Sequence, residues 1–585
     1  MMKQNISVLK LVDDLRSSFR AEDAIRLVYL LKAWKVLSEE NRISNVSLTF
    51  EAFYNSKITL EKLKDTLEKL AKEHHVFSLS SPLNSPRSKM TDDILIMLLN
   101  EIQSSETFIE VGDMFYSLKD WGYDYSVSMQ VAELGVKLLG NTCPEIYSPF
   151  SNSQVISYFT DKQVYAESLA DEFIVEVSKI IDHQNIEFHS TDALESPSYI
   201  NPDAPHLLKQ FDCTLSFPPM GHKIKGDFYK QDSFNRFKIY KGRGNRDVPY
   251  FEHIIAQTSG KAVVLMPVGF CYRAGVELEF RRYLVENNLL EAVIQLPPNL
   301  HNGTAIETTF FIVNKHKDNH DIQFINLNQD EFLQKSKRRI AFNDLDEIVD
   351  IYLEKKEIEN TSVIVSSSVV AANTYSMSID RYVVSKEASQ LKERLASYNM
   401  IELQEVAEVR RSQMFKDEGE GIEVIELSPS DVLNAGYTVD SKKSKKIGSQ
   451  ENKLKTYELQ ADDILLSTKG TIGKVGIVGN ITKSMIASQA MQVIRLNENS
   501  SLDPIVLYMY LKSDIGQALL KQLVAGVAMP QVATREIKEF RIPLLSENEN
   551  RRIVESFNDE MRLYEEIEEK RKAISTIHSN FLGDN

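Results

Sequence analysis

From residue 144 to 315 seven short apolar runs alternate with helical stretches: PEIYSPF, KQVYAES, IEFHSTD, FDCTLSF, KAVVLMPVG, LEAVIQLP and TTFFIVNK. No other feature constrains the fold as tightly. Strands alternating with helices order into a mostly parallel sheet with helices on both faces. An open α/β sheet of this kind binds ligands at the carboxyl ends of its strands. The residues at which each run stops are therefore the first candidates for a site. The last run, TTFFIVNK, fits an antiparallel edge strand.

The flanking segments have other rhythms. In AEDAIRLVYLLKAWKVLSEE and SVSMQVAELGVKLLG the apolar residues recur every three or four positions, which predicts an N-terminal helical domain over residues 1–140, its last helix ending at LGN. The α/β unit follows over 141–385. Residues 386–545 comprise a linker helix, SKEASQLKERLASYNM, and a β-rich unit punctuated by Gly and Lys, as in DDILLSTKGTIGKVGIVGN and MQVIRL. Residues 546–585 read as one charged helix. Ser546 and Glu549 have capping-box spacing, and Ile553, Phe557, Met561, Tyr564 and Ile567 step by four or three, the seam of a packing or dimerisation helix.

The 585 residues suffice for three or four domains. The three cysteines lack CxxC spacing, which argues against a disulfide framework or a zinc site, and predicts a reducing, cytoplasmic setting with Cys213 and Cys271 as core thiols. No apolar run is long enough for a membrane span. A net charge of −16 argues against indiscriminate coating of DNA but leaves room for a local basic surface.

The stretch from 205 to 315, which contains FDCTLSFPPMG and NRFKIYKGRGNRDVPYFEHIIAQTSG, resembles the adenine-N6 DNA methylase subunits of type I restriction–modification systems. NTYSMSIDRYV at 373–383 resembles that family's closing segment. The resemblance implies a Rossmann-like methyltransferase fold whose catalytic strand ends in Asn-Pro-Pro-aromatic. There the Asn and the first Pro carbonyl accept the hydrogens of the target amine, and the aromatic stacks on a base flipped out of the duplex. Here Pro218 and Pro219 fit, but Phe217 stands at the Asn position and Met220 at the aromatic position. Phe accepts no such bond and is expected to fill the space of the amine. Losing one positioned transition-state contact costs about two to three orders of magnitude in rate.

The family's cofactor loop resembles Asp-Pro-x-x-Gly-Ser-Gly. In IYSPFSNSQ Ser148 replaces the Asp, and Asn152 and Gln154 replace the glycines that let backbone approach S-adenosylmethionine. Two acidic positions match: Glu167 with the carboxylate that binds ribose, and Asp192 with the one facing adenine. Both catalytic and cofactor motifs are thus degenerate. The expectation is a methylase fold without methyl transfer and without a cofactor, or S-adenosylmethionine if transfer is retained; no metal is expected. The basic loop at 221–246 is either a solvated face or a phosphate-contacting loop.

Residues 401–585 resemble one target-recognition domain of a type I specificity subunit, carried by IELQEVAEVRRS, ADDILLSTKGTIGKVGIV and LYMYLKSDIGQALLKQLVAGVAMPQVATREIKEFRIPLLSENENRRIV. Between 441 and 483 nine lysines face four acidic residues, a local reversal of the overall charge. Candidate DNA contacts are Arg410, Arg411, Gln413, Lys442, Lys443, Lys445, Lys446, Lys469, Lys474 and Gln489, with Ser412, Ser467 and Thr468 as further base-reading candidates. The implied partner is double-stranded DNA, met by a homodimer or by a complex with other restriction or defence subunits. Two alternatives stay open: a working adenine-N6 methyltransferase, and a scaffold without DNA affinity.

Overall fold

The computed structural model describes residues 15, 19, 21–79, 83, 89–104, 127–150, 153–169, 172–181, 183–221, 227–244, 246–301, 306–335, 340–383, 395, 397–433, 436–441, 443–500, 502–521, 523 and 532–579. Asn152, Lys442, the Gly526–Pro530 turn and most of the linker helix lie outside these residues. The chain divides into two compact units, Met1–Val383 and Val384–Asn585, beside the boundary expected after residue 385.

The first unit is built on β1 (Glu145–Pro149), β2 (Gln163–Ser168), β3 (Ile186–Ser190), β4 (Phe211–Ser216), β5 (Thr258–Pro267), β6 (Leu290–Gln295), β7 (Thr308–Asn314), β8 (Asp321–Asn326) and β11 (Ser362–Ser366), with a small hairpin of β9 (Leu333–Lys335) and β10 (Ile340–Phe342). The main sheet has the order β11-β8-β6-β7-β5-β4-β1-β2-β3. Strands β3, β2, β1, β4 and β5 run parallel, so the order turns back between β1 and β4. Open α/β sheets place their ligand crevice at such a switch point. Strand β7 is antiparallel, as expected, but lies inside the sheet between β5 and β6 rather than at an edge. Its residues Thr308–Val313 are all buried, and a buried strand needs hydrogen-bond partners on both sides. The sheet also extends beyond 315 through β8 and β11, where the sequence suggested only a charged connection.

The N-terminal helices are not a body apart. Helices Ala21–Glu39, Leu60–Leu70, Asp92–Ser104 and Met129–Leu139 bury Trp34, Leu67, Leu98 and Leu134 in the same core as Leu215 and Phe310 of the sheet. Gly140, at φ 84°, ends the last helix in a conformation that favours glycine. The cysteine expectation needs correction: Cys143 and Cys213 form a disulfide, their Cα atoms 5.8 Å apart, while Cys271 is a buried thiol. Their sequence separation hid the pairing; adjacency of β1 and β4 creates it.

The second unit contains β12 (Asn399–Glu402), β13 (Ala407–Arg411), β14 (Ile422–Leu427), β15 (Tyr437–Thr438), β16 (Ser444–Ile447), β17 (Ile464–Ser467), β18 (Val475–Val478), β19 (Met485–Ala487), β20 (Met491–Leu496) and β21 (Arg541–Leu544). They form a five-stranded sheet β13-β20-β17-β18-β15, a three-stranded sheet β16-β14-β19 and the pair β12-β21. Helix Glu547–Ser579 begins at the expected capping box: Ser546 N donates to Glu549 Oε2 at 2.8 Å and Glu549 N to Ser546 Oγ at 3.4 Å. Its first turns pack Ile553, Phe557 and Met561 against the core. Further on, Leu563, Ile567 and Ile574 are 58%, 47% and 55% exposed. No helix among the described residues is long and apolar enough to cross a membrane.

Candidate functional site

The carboxyl edge of the first sheet brings together Ser148 and Pro149 of β1, Glu167 of β2, Asp192 just after β3 and Phe217-Pro218 just after β4. Ser216 Oγ donates to the Pro149 carbonyl at 2.9 Å, which ties the ends of β4 and β1 together. The residues expected at the strand ends thus lie along one edge of the sheet.

Glu167 is fully buried, and the protein itself engages both carboxylate oxygens. The Tyr147 hydroxyl donates to Oε1, and Ser198 N donates to Oε2 at 2.6 Å. A directed chain stands behind Tyr147. Arg236 Nη1 lies 2.8 Å from His253 Nδ1, and His253 Nε2 lies 2.7 Å from the Tyr147 hydroxyl. Arginine can only donate, so His253 Nδ1 accepts, the imidazole is neutral, and its Nε2 proton points at Tyr147. Burial, and then Arg236, hold the His253 pKa well below its usual value. Burial raises the Glu167 carboxyl, opposed by its bonds from Tyr147 and Ser198. Arg236 is anchored by Asp232 at 2.8 Å and by the carbonyls of Ala193 and Leu194, each at 2.7 Å.

Asp192 is engaged as well. Its Oδ2 accepts from Arg246 Nη1 at 3.0 Å and its Oδ1 from Leu194 N at 3.0 Å. Phe150 follows β1 at φ 84°, a strained conformation for a bulky residue, and its ring sits 4.4 Å from that of Tyr250 and 5.5 Å from His253. Ser148 and Gln154 are buried, and Ser148 Oγ and Gln154 Oε1 have no hydrogen-bond partner among the described residues. Each orphan costs about 1–3 kcal/mol. An adenosyl cofactor needs free carboxylates and a backbone-lined hollow; here both carboxylates are engaged and a buried Gln stands at a glycine position. The residues present do not fit S-adenosylmethionine.

Phe217 requires a correction. Its ring does not fill the space of a target amine; it is fully buried in the core shared with the helical segment. A Cβ placed on Gly135, within helix Met129–Leu139, would meet the ring at 3.5 Å and Leu215 at 2.9 Å. An apolar ring goes where it can be desolvated, and the missing side chain of Gly135 leaves the room. What is lost at 217 is the acceptor. Pro218 is buried, and Pro219 and Met220 are half-buried, Met220 against the same core. The basic loop also splits: Lys230, Lys238, Lys241 and Arg243 are exposed, whereas Arg236 and Arg246 turn inward to the network above. A further buried carboxyl, Glu307, precedes β7; Gln295 donates to its Oε1, Oε2 has no partner among the described residues, and burial pushes its pKa up to about 7.

In the second unit the lysine run is not a free cationic patch. Strand β16 pairs antiparallel with β14, which sets Lys446 opposite Glu423 and Lys445 opposite Val424. Lys445 Nζ bonds Glu426 at 2.7 Å. Residues 417–426 carry five acidic side chains and no basic one, so the pairing lays an acidic run beside the basic one. Counting charge in one stretch of sequence could not show this. Lys474 Nζ is turned to the carbonyls of Pro429 and Val432, and Arg410 Nη1 to that of Thr456. These two and Lys445 thus hold hydrogen bonds within the unit. Arg411, Gln413, Lys469 and Gln489 are exposed, as are Lys443 and Lys446. Tyr147, Phe150, Arg236, Arg246 and His253 were not singled out from sequence. Tyr147 was within reach, because it precedes Ser148 on β1 and parallel pairing sets it beside β2. Arg236 and Arg246 were hidden by their basic surroundings.

A parallel sheet with one inserted antiparallel strand and a helical layer on one face is the architecture of a methyltransferase fold, and a separate β-rich unit follows it. Residues 177–391 match the N-6 DNA Methylase family, and residues 396–575 match the Type I restriction modification DNA specificity domain. The chain therefore carries an N-6 DNA Methylase domain followed, in the same polypeptide, by a type I specificity domain. It is 25% identical over 386 residues to the type I restriction enzyme MjaVII methylase subunit of Methanocaldococcus jannaschii, covering 60% of this chain and 67% of the relative. It is 29% identical over 204 residues to the MpnII methylase subunit of Mycoplasma pneumoniae, covering 33% and 37%. The chain thus spans 37% and 67% of the length of these curated relatives. The crystal structure of a type I methyltransferase subunit from Streptococcus thermophilus superposes with a TM-score of 0.54 at 17% identity, over 64% of this chain and 98% of that one, a likeness of fold.

Proposed function

We propose that this chain is a sequence-specific double-stranded DNA-binding protein of a restriction–modification or phage-defence system, in which the methylase unit no longer transfers methyl groups. The observation that carries the loss of transfer is Glu167: it is wholly enclosed, and both oxygens are bound by Tyr147 and Ser198 of the same chain. Phe217, which offers no acceptor at the Asn position, supports it independently. Recognition then rests with the second unit. Its C-terminal helix presents Leu563, Ile567 and Ile574 outward at steps of four and seven, which suits pairing with a second copy or with another subunit of the system.

Isothermal calorimetry with S-adenosylmethionine tests the reading. No heat of binding is expected at millimolar ligand, and no labelled methyl group should reach adenine in duplex DNA. Micromolar binding together with transfer would make the chain a working adenine-N6 methyltransferase. A scaffold without DNA affinity is favoured by one observation, the acidic run lying against the lysine run. Salt-dependent retardation of duplex DNA by the full chain would exclude it.

A further inference from the structure

One end of the five-stranded sheet in the second unit is stitched together from four separate stretches of chain. Arg411 at the end of β13 pairs with Gln492 of β20, and Ser467 at the end of β17 pairs with Met491. Thr468 N and Lys469 N donate to the Ala490 carbonyl at 2.8 and 3.3 Å. Val532 N donates to the Thr468 carbonyl at 3.0 Å, and Ser412 Oγ to the Met491 carbonyl at 2.9 Å. Exposed on this rim are Arg411, Gln413, Lys469 and Gln489. The positive charges of Arg411 and Lys469 meet no carboxylate among the described residues, in contrast to Lys445 with Glu426.

Arg411 is also aimed. Its Nε donates to Thr534 Oγ1 at 2.6 Å, which holds the guanidinium plane while leaving both terminal amino groups unengaged among the described residues. A phosphate contact needs only a mobile cation, as Lys469 supplies. A fixed planar fork flanked by neutral amide side chains suits two-point recognition, and the match in duplex DNA is O6 and N7 of guanine in the major groove. We propose that Arg411 is a specificity-determining residue that reads a guanine, with Thr534 as the residue that positions it. The inference rests on the DNA-binding reading above and names the base and the side chain.

The test is selection from a random duplex library by the full chain, followed by affinity and salt titrations on the enriched site. Wild type is expected to enrich sites with one fixed guanine. Arg411→Ala should lose that guanine and weaken binding to the wild-type site about 10- to 100-fold with the salt slope unchanged. Arg411→Lys should lose the preference too, because an ammonium lacks the fork. Thr534→Val, in a half-buried position, should relax the preference with a smaller loss of affinity and an unchanged thermal transition. Uniform weakening on all duplexes by Arg411→Ala, with a salt slope reduced by about one, would make it a phosphate contact and overturn the inference. So would unchanged enrichment by that variant. Wild type that enriches no duplex at low salt would instead overturn the function proposed above, and this reading with it.

Discussion

The crevice of the first unit, expected to be a vestigial ligand site, and the rim of the second, expected to meet DNA, both carry polar side chains but direct them oppositely. In the crevice Arg236, Arg246, Glu167, Asp192 and His253 spend their hydrogen bonds inside the protein, Arg246 on Asp192, Arg236 on His253 and Glu167 on Tyr147. On the rim Arg411 and Lys469 face solvent with no carboxylate to answer them among the described residues. A site that binds a ligand pays for its polarity only when the ligand arrives; in the crevice the carboxylates and arginines are engaged before any arrives, although Ser148 Oγ and Gln154 Oε1 have no partner among the described residues. The lesson is that residue type at a motif position says less about binding than whether that residue's hydrogen-bonding capacity is already used.

This contrast can be broken most forcefully at Arg236. Arg236→Ala leaves Asp232 buried without its cation and removes the donor to His253, which should cost about 3–5 kcal/mol in the unfolding of the first unit. Urea denaturation measures it. A cost below about 1 kcal/mol would mean that the network is incidental. Tyr147→Phe takes one donor from Glu167 and should cost about 1–3 kcal/mol, and calorimetry should still find no S-adenosylmethionine binding. If the variant binds the cofactor, the crevice is a latent site and the contrast fails.

Glu307 sharpens the comparison through pH. Its folded pKa is raised to about 7 by burial. The stability tied to its neutral form is therefore complete below the unfolded carboxyl value near 4.5 and is lost as pH rises through 7. Glu307→Gln should nearly match wild type at pH 4.5 and exceed it at pH 8 by about 3 kcal/mol, read from thermal melts across that range. A difference independent of pH would refute the assignment. The smallest effect is expected in the second unit, where Lys469→Ala should weaken duplex DNA binding only a few-fold, lower the salt slope by about one and leave the melt unchanged.

Much of the fold was legible because periodicity is a local property. The seven apolar runs became β1 to β7, the capping box at Ser546 began the final helix, and the crevice fell at the strand ends where the motifs pointed. What failed was whatever depended on chain segments distant in sequence. The interior place of β7, the Cys143–Cys213 disulfide and the neutralisation of Lys445 by Glu426 all arise from strand adjacency, which no single stretch encodes. The direction of Phe217 failed for the same reason: the space for its ring is supplied by Gly135, 82 positions earlier.

That last pairing bears on what a substitution at 217 would meet. Asparagine put back at 217 would enter a greasy slot shaped for a phenyl ring, where its amide finds no water. The change would have to be matched on helix Met129–Leu139 before the side chain could face the crevice. Position 217 and the helix at Gly135 are thus coupled, and a change at one is harmful until the other is altered to match.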